Sequence, residues 1–166
     1  MSGRVAFNTP IALAFYNGRD HGSLFDHAIA GHDRGRWAGP YSHVELAFDD
    51  GQCFSSSIRD GGVRFKAIDL DHKWTIVELV SHRREVERLR DWCSEQVGGR
   101  YDAVGMLAFK LPCLREVAGA WFCSEICTAA LQQMRHPPAR LRHVTPSRVS
   151  PNRLYHLAQT EAHYRV

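Results

Sequence analysis

The sequence predicts one α+β domain over residues 1–166. Two observations carry that reading. Short alternating segments bounded by turn residues cluster between Ile11 and Val80, and segments with helical period follow from Ser81 onward. Strands first and helices after is the pattern of an α+β domain, not of alternating parallel units. The chain is long enough for a hydrophobic core of its own, and no internal repeat, long linker or low-complexity tract divides it.

The apolar run Ile11-Ala12-Leu13-Ala14-Phe15 reads as a buried strand. Tyr16 to Pro40 is rich in Gly, His, Asp and Arg. Within it, Ser23 to Ala30 is read as one or two helical turns with Leu24, Phe25, Ala28 and Ile29 as the apolar side, and Gly31 to Pro40 as a loop placed to overhang a site. Tyr41 to Phe48 alternates cleanly: Val44, Leu46 and Phe48 form an apolar face, and Tyr41, His43, Glu45 and Ala47 form the other. Asp49-Asp50-Gly51 supplies a turn into a strand over Cys53 to Ile58. A two-residue Asp50-Gly51 turn sets Glu45 opposite Ser56, a register that leaves Phe54 and Ile58 on the polar face.

Asp60-Gly61-Gly62 turns the chain into a strand over Val63 to Ile68, and Trp74 to Val80 is a further strand. Ser81 is the expected N-cap of a helix over His82 to Val97, closed by Gly98-Gly99, with Val86, Leu89, Trp92, Cys93 and Val97 as its buried stripe. Ala103 to Lys110 is read as an apolar helix. The next helix starts near Cys123 and runs to about Met134, apolar around most of its circumference, until Pro137-Pro138 stops the chain. A last helical segment is expected over Asn152 to Ala158.

Composition excludes several classes. Hydrophobic residues make up 44% and charged residues 23%, as in an ordinary globular protein. A net charge of +3 is too small to argue for a nucleic-acid binder. From Gln133 onward six Arg face the single acid Glu161, a local +5 that reads as a solvated surface or as a contact for an anionic partner. The five cysteines, Cys53, Cys93, Cys113, Cys123 and Cys127, are odd in number and suit a reducing compartment better than a disulfide framework. Met1 to Pro10 carries no apolar leader core, and no run approaches the ~20 apolar residues of a membrane span. The expectation is a cytoplasmic protein without a transmembrane segment.

The chemistry points to two segments about 80 residues apart: His43-Val44-Glu45 on a strand, and Phe122-Cys123-Ser124-Glu125 at a helix start. A free thiol has a pKa of ~8.5, and a helix N-terminus or a nearby imidazolium brings such sites down to ~3.5–7.5. In that arrangement Cys123 is the nucleophile, His43 the base and Glu45 the group that orients the imidazole. The new helix also offers backbone N–H groups for an oxyanion. The competing reading is that Cys123 is core packing, since cysteine is among the most buried residue types. No zinc signature, P-loop, G-x-S-x-G elbow, H-E-x-x-H or dinucleotide fingerprint is present, so neither metal nor cofactor is expected.

These residues resemble a known family. The chain is similar to permuted NlpC/P60-type papain-like cysteine hydrolases, the group that includes the YiiX-like proteins. There the His-bearing strand precedes the Cys-bearing helix. His43-Val44-Glu45 matches the H-x-E element and Phe122-Cys123-Ser124-Glu125 the C-S-E element. Gly99-Arg100-Tyr101-Asp102 resembles the Tyr-Asp segment between them, and Ser147 to Leu154 the Pro-containing tail. The likeness runs from about Ile11 to Leu157. It implies a papain-like fold, a small antiparallel sheet or half-barrel packed against helices, with Cys123, His43 and Glu45 as its catalytic residues.

The expected activity is hydrolysis of an amide or ester through an acyl-enzyme, as in a thiol amidase or peptidase, on a small-molecule, peptide or lipid acyl substrate. A thiol-dependent acyltransferase of the lecithin–retinol type is the alternative within enzymes. A non-catalytic binding module on the same fold is the alternative outside them, and an unreactive, deeply buried Cys123 would mark it. The sequence leaves the oligomeric state open.

Overall fold

A computed structural model of the protein describes residues 9–79, 81–102 and 120–162. The helix expected over Ala103 to Lys110, and Cys113, lie outside the described residues. The described chain is α+β: one open seven-stranded sheet, mostly antiparallel, packed against helices.

The strands are β1 (Ile11–Asn17), β2 (Tyr41–Phe48), β3 (Gln52–Ser57), β4 (Gly62–Ala67), β5 (Trp74–Glu78), β6 (Arg100–Tyr101) and β7 (Ala120–Trp121). Their order across the sheet is β5-β1-β2-β3-β4-β6-β7. Every neighbouring pair is antiparallel except β6 and β7. The helices are α1 (Gly18–His21), α2 (Leu24–Ala30), α3 (Arg83–Gln96), α4 (Cys123–Gln132) and α5 (Pro151–Ala162).

Helix α4 organises the core. It buries residues around most of its circumference and packs against β2 and β3, as its apolar composition demands. Val44, Leu46 and Phe48 of β2 meet Ile126, Cys127, Ala130 and Leu131 of α4 in one cluster that also takes in Phe15 and Phe54. Each large apolar side chain buried there contributes about 1.5–3 kcal/mol. A smaller cluster of Ala14, Ala47, Cys53 and Leu70 covers part of the sheet's other face.

The β2–β3 hairpin departs from the expected two-residue turn. Leu46 pairs with Phe54 and Ala47 with Cys53, which leaves Asp49, Asp50 and Gly51 as a three-residue loop. Gly51 has φ +85° and donates its N–H to Phe48 O. A loop of that length ends in a left-handed residue, and glycine takes it without steric cost. The extra residue shifts the partners by one. Phe54 joins Leu46 on the core face, and Ser55 takes the place of Ser56 opposite Glu45. Ser56 turns inward, its Oγ buried without a hydrogen-bond partner.

Further expectations are corrected. In α2 the buried residues are Asp26 and Ala30, while Leu24 is 89% exposed. The cause is polar: Asp26 closes a capping box with Ser23 and takes a hydrogen bond from Ser42 Oγ at 3.0 Å. The N-cap of α3 is His82 rather than Ser81, and Val97, extended beyond the last turn, lies half exposed off the buried stripe. The loop over 31–40 contacts α5 and the residue before it rather than the cleft: Asn152 Nδ2 donates to Asp33 Oδ2 at 3.3 Å, and Ser150 Oγ to the same oxygen at 2.6 Å. Helix α5 also runs longer than its expected span.

Gly62 opens β4 at φ +142°, and a Cβ there would lie 2.1 Å from Gly99 O. This bare backbone lets the segment before β6 approach, with Val63 N–H donating to Gly99 O at 2.8 Å. That approach brings Tyr101 toward the start of α4.

Candidate active site

Alternation along β2 sends His43 and Glu45 to the same face, and the glutamate reaches back to the ring. His43 Nε2 lies 2.7 Å from Glu45 Oε1. The sheet register then fixes what surrounds the carboxylate. Ala14, Glu45, Ser55 and Arg64 fall in one cross-strand row over β1 to β4. Ser55 is small, and its Oγ donates to Val44 O. Arg64 therefore extends across it and grips the carboxylate in bidentate fashion, Nη1 to Oε2 and Nη2 to Oε1, both at 2.7 Å.

The ion pairs continue outward. Arg64 Nε donates to Asp60 Oδ2 at 2.8 Å, and Lys66 Nζ to Asp60 Oδ1 at 2.7 Å. Burial would raise the carboxyl of Glu45, which is 0% exposed, but His43 and Arg64 outweigh it and hold it below its usual value. The same two influences act on Asp60: desolvation raises it, and Lys66 with Arg64 brings it down to about 2.

Cys123 is the first residue of α4, after Phe122 as N-cap. Glu125 Oε2 accepts the Phe122 N–H at 3.1 Å, which fixes the entry of the chain into the helix. Cys123 is 1% exposed. Its sulfur faces the His43 ring closely enough to raise the imidazole. Because Nε2 is engaged by Glu45, Nδ1 is the nitrogen left for the sulfur. Desolvation pushes the His43 imidazole down, yet its interactions with Cys123, and then with Glu45, raise it to about 10. The ring is held between a sulfur and a carboxylate that both favour its protonated form.

The structure therefore brings all three expected residues together, in the order Cys123, His43, Glu45. It adds two to which the sequence gave no role. Arg64 carried no signal until the hairpin register was known. Tyr101 pairs with Trp121 across β6 and β7 and meets Phe122 edge-on with ring centroids 6.0 Å apart. Burial, with the charges of Cys123, Asp102 and Asp26, keeps its phenol protonated. Beside it, a cleft of about 160 Å³ opens on the His43 ring, walled by Tyr16, Trp74, Phe25 and Ile58.

The remaining described thiols, Cys53, Cys93 and Cys127, are buried, as Cys123 is. Burial pushes Cys93 and Cys127 well above the ordinary thiol range. The tail segment acts as a strap: Asn152 Oδ1 accepts the Tyr41 N–H at 2.9 Å at the start of the His43 strand, and Ser124 Oγ donates to Val149 O beside Cys123. Among the described residues no cluster of three or more His, Cys, Asp or Glu is placed to hold a metal, and no helix is long and apolar enough to cross a membrane.

No protein-family model, curated protein or solved structure matches the chain.

Proposed function

We propose that the protein is a cysteine hydrolase that cleaves an amide or ester bond through an acyl-enzyme, on a permuted papain-like scaffold. The observation that carries the reading is the continuous chain from Cys123 through His43 to Glu45, with an imidazole raised to about 10 between them. A solvated histidine has no reason to sit that high, and a buried carboxylate clamped by Arg64 is a costly thing to build for packing alone. The order of the His strand before the Cys helix, and the contact of α4 with β2, support the permuted scaffold.

In this mechanism the Cys123 sulfur attacks the substrate carbonyl carbon and forms a C–S bond. The negative charge moves to the carbonyl oxygen, where backbone N–H groups at the start of α4 and the neutral phenol of Tyr101 are the donors at hand. As the tetrahedral species collapses, the bond to the leaving nitrogen or oxygen breaks, and His43 delivers its proton there. Neutral His43 then takes a proton from water, whose oxygen attacks the thioester. The carboxylic acid departs, and the sulfur and imidazole return to their resting state. Glu45 keeps the ring in one tautomer throughout, and Arg64 keeps Glu45 ionised and aimed.

The test is capture of the intermediate. Incubation with a p-nitrophenyl acyl ester followed by acid quench and mass-spectrometric mapping should give a single acyl group on Cys123. An acyl group on no cysteine, with ester consumed at the rate of buffer alone, removes the hydrolase reading.

A further inference from the structure

The cleft beside His43 is built for a particular piece of substrate. Its side walls are aromatic: Tyr16 and Trp74 lie with ring centroids 5.3 Å apart, and Trp74 meets the His43 ring edge-on at 6.3 Å. The opposite wall is Phe25 and Ile29 of α2 with Ile58 from the β3–β4 turn. Phe25 is 38% and Ile58 49% exposed, so the apolar surface continues out to the rim. Asp26, the charged residue in the α2 wall, is satisfied by Ser23, Ser42 and Arg59. Arg59, which also lines the cleft, is paired with that carboxylate, so among the lining residues the aromatic and aliphatic walls offer the contacts a neutral group can use.

Size narrows the occupant. The volume is about 160 Å³, and an apolar cavity of about 150 Å³ takes a single benzene ring. Aromatic walls favour a flat ring by edge-to-face and offset contact. Position narrows it further. The cleft is lined by His43 and not by Cys123. In acyl transfer the base hands its proton to the departing group, while the acyl group remains on the sulfur. The space lined by the imidazole and not by the sulfur is therefore on the leaving-group side.

We infer that this cleft binds the leaving group, and that the substrate is an amide or ester whose amine or alcohol carries one aromatic ring or an apolar group of that size. The inference rests on the hydrolase reading for its chemistry and on the cleft for its selectivity, and the two are separable by experiment.

The kinetic arm compares 2-phenylethyl acetate with ethyl acetate. Both give the same acetyl-enzyme, and their alcohols are similar in acidity, so kcat/KM reads leaving-group binding. The phenylethyl ester should be favoured at least about tenfold, from burial of one ring. Ethyl 3-phenylpropanoate against ethyl propanoate, which moves the ring to the acyl side, should show no such preference. Trp74→Ala should collapse the leaving-group ratio, and Ile29→Trp, which fills the same space from the other wall, should collapse it independently. The binding arm titrates 2-phenylethanol into Cys123→Ala protein and follows the Trp74 indole N–H by NMR, assigned by its loss in a Cys123→Ala/Trp74→Phe protein. A saturable shift is expected.

Turnover with equal kcat/KM for the two acetates and no shift at Trp74 overturns the cleft assignment and leaves the hydrolase reading standing. A preference carried by the acyl pair also overturns it. Saturable binding at Trp74 without turnover of any ester supports the cleft as a ring site and sinks the hydrolase. Neither turnover nor binding sinks both.

Discussion

Arg64 holds both carboxylate oxygens of Glu45 at 2.7 Å, and the oxygen it shares with His43, Oε1, lies at the same distance from the imidazole. The glutamate is wholly buried and the arginine nearly so. One side chain thus faces the base on one side and a permanent cation on the other. Glu45 cannot rotate away from His43 without abandoning a fork of two charge-assisted hydrogen bonds. The base is aimed by a residue two strands away.

Removal of Arg64 should therefore affect both stability and chemistry. Arg64→Gln leaves a buried carboxylate without its cation, at a cost of about 3 kcal/mol by denaturant unfolding. In the folded fraction the acidic limb of kcat/KM should move to higher pH, since Glu45 is no longer held down by Arg64. Arg64→Lys restores the charge but not the fork, and should recover the limb better than the rate. An unchanged acidic limb in folded Arg64→Gln protein would show that Glu45 is indifferent to Arg64.

His43→Ala should lower turnover by at least about 10²-fold, the low end for general acid–base catalysis. Its ring sits between the buried Cys123 and Glu45, so urea midpoints should fall and the rate is read on the folded fraction. Wild-type activity in the folded variant removes His43 from the mechanism.

The alkaline limb of the pH–rate profile belongs to His43. An imidazole raised to about 10 keeps its proton for the leaving group at neutral pH, and activity falls as pH rises through that value. Glu45 is one of the groups that raise it, so Glu45→Gln should draw the alkaline limb to lower pH and lower the rate by less than His43→Ala. Ser56→Ala, whose hydroxyl faces the core, should leave both limbs in place. A limb that moves in Ser56→Ala and not in Glu45→Gln assigns the orienting role to the neighbouring strand.

Acid should unfold the protein through its paired carboxylates. Glu45, Asp26 and Asp60 all titrate lower in the folded chain than the ordinary 4.5 or 3.8. Groups shifted that way contribute stability above their unfolded values and lose it as pH falls through their folded ones. The thermal midpoint should be level from neutrality to about pH 5, then decline toward pH 2, where Asp60 titrates. A midpoint that stays level down to pH 2 contradicts the folded-state carboxylate network.

Much of this site was legible in the chain because strand alternation is a strong local signal. His43 and Glu45 could be put on one face from spacing alone, and the start of α4 at Cys123 followed from the apolar run behind it. Arg64 was not legible. Its partnership with Glu45 depends on a hairpin register set by one left-handed glycine, Gly51, and a one-residue change in that loop moves every cross-strand pair. The orientation of α2 escaped for a related reason. Apolar spacing placed Leu24 and Phe25 inside, while a capping box and the Ser42 hydroxyl turned Asp26 inward instead. Tyr101 arrives through the parallel pairing of two two-residue strands, which no periodicity announces.

The central claim is that Cys123 is a nucleophile activated by His43. The most direct measurement is brief, substoichiometric iodoacetamide labelling of the native protein across pH 5–9 with mass-spectrometric mapping of the cysteines. The account predicts dominant labelling at Cys123 at neutral pH, with Cys93 and Cys127 untouched behind their raised thiols. It also predicts that His43→Ala moves the onset of Cys123 labelling to higher pH, since the imidazolium no longer favours the thiolate. Labelling led by another cysteine, or a Cys123 profile that is the same with and without His43, would contradict it.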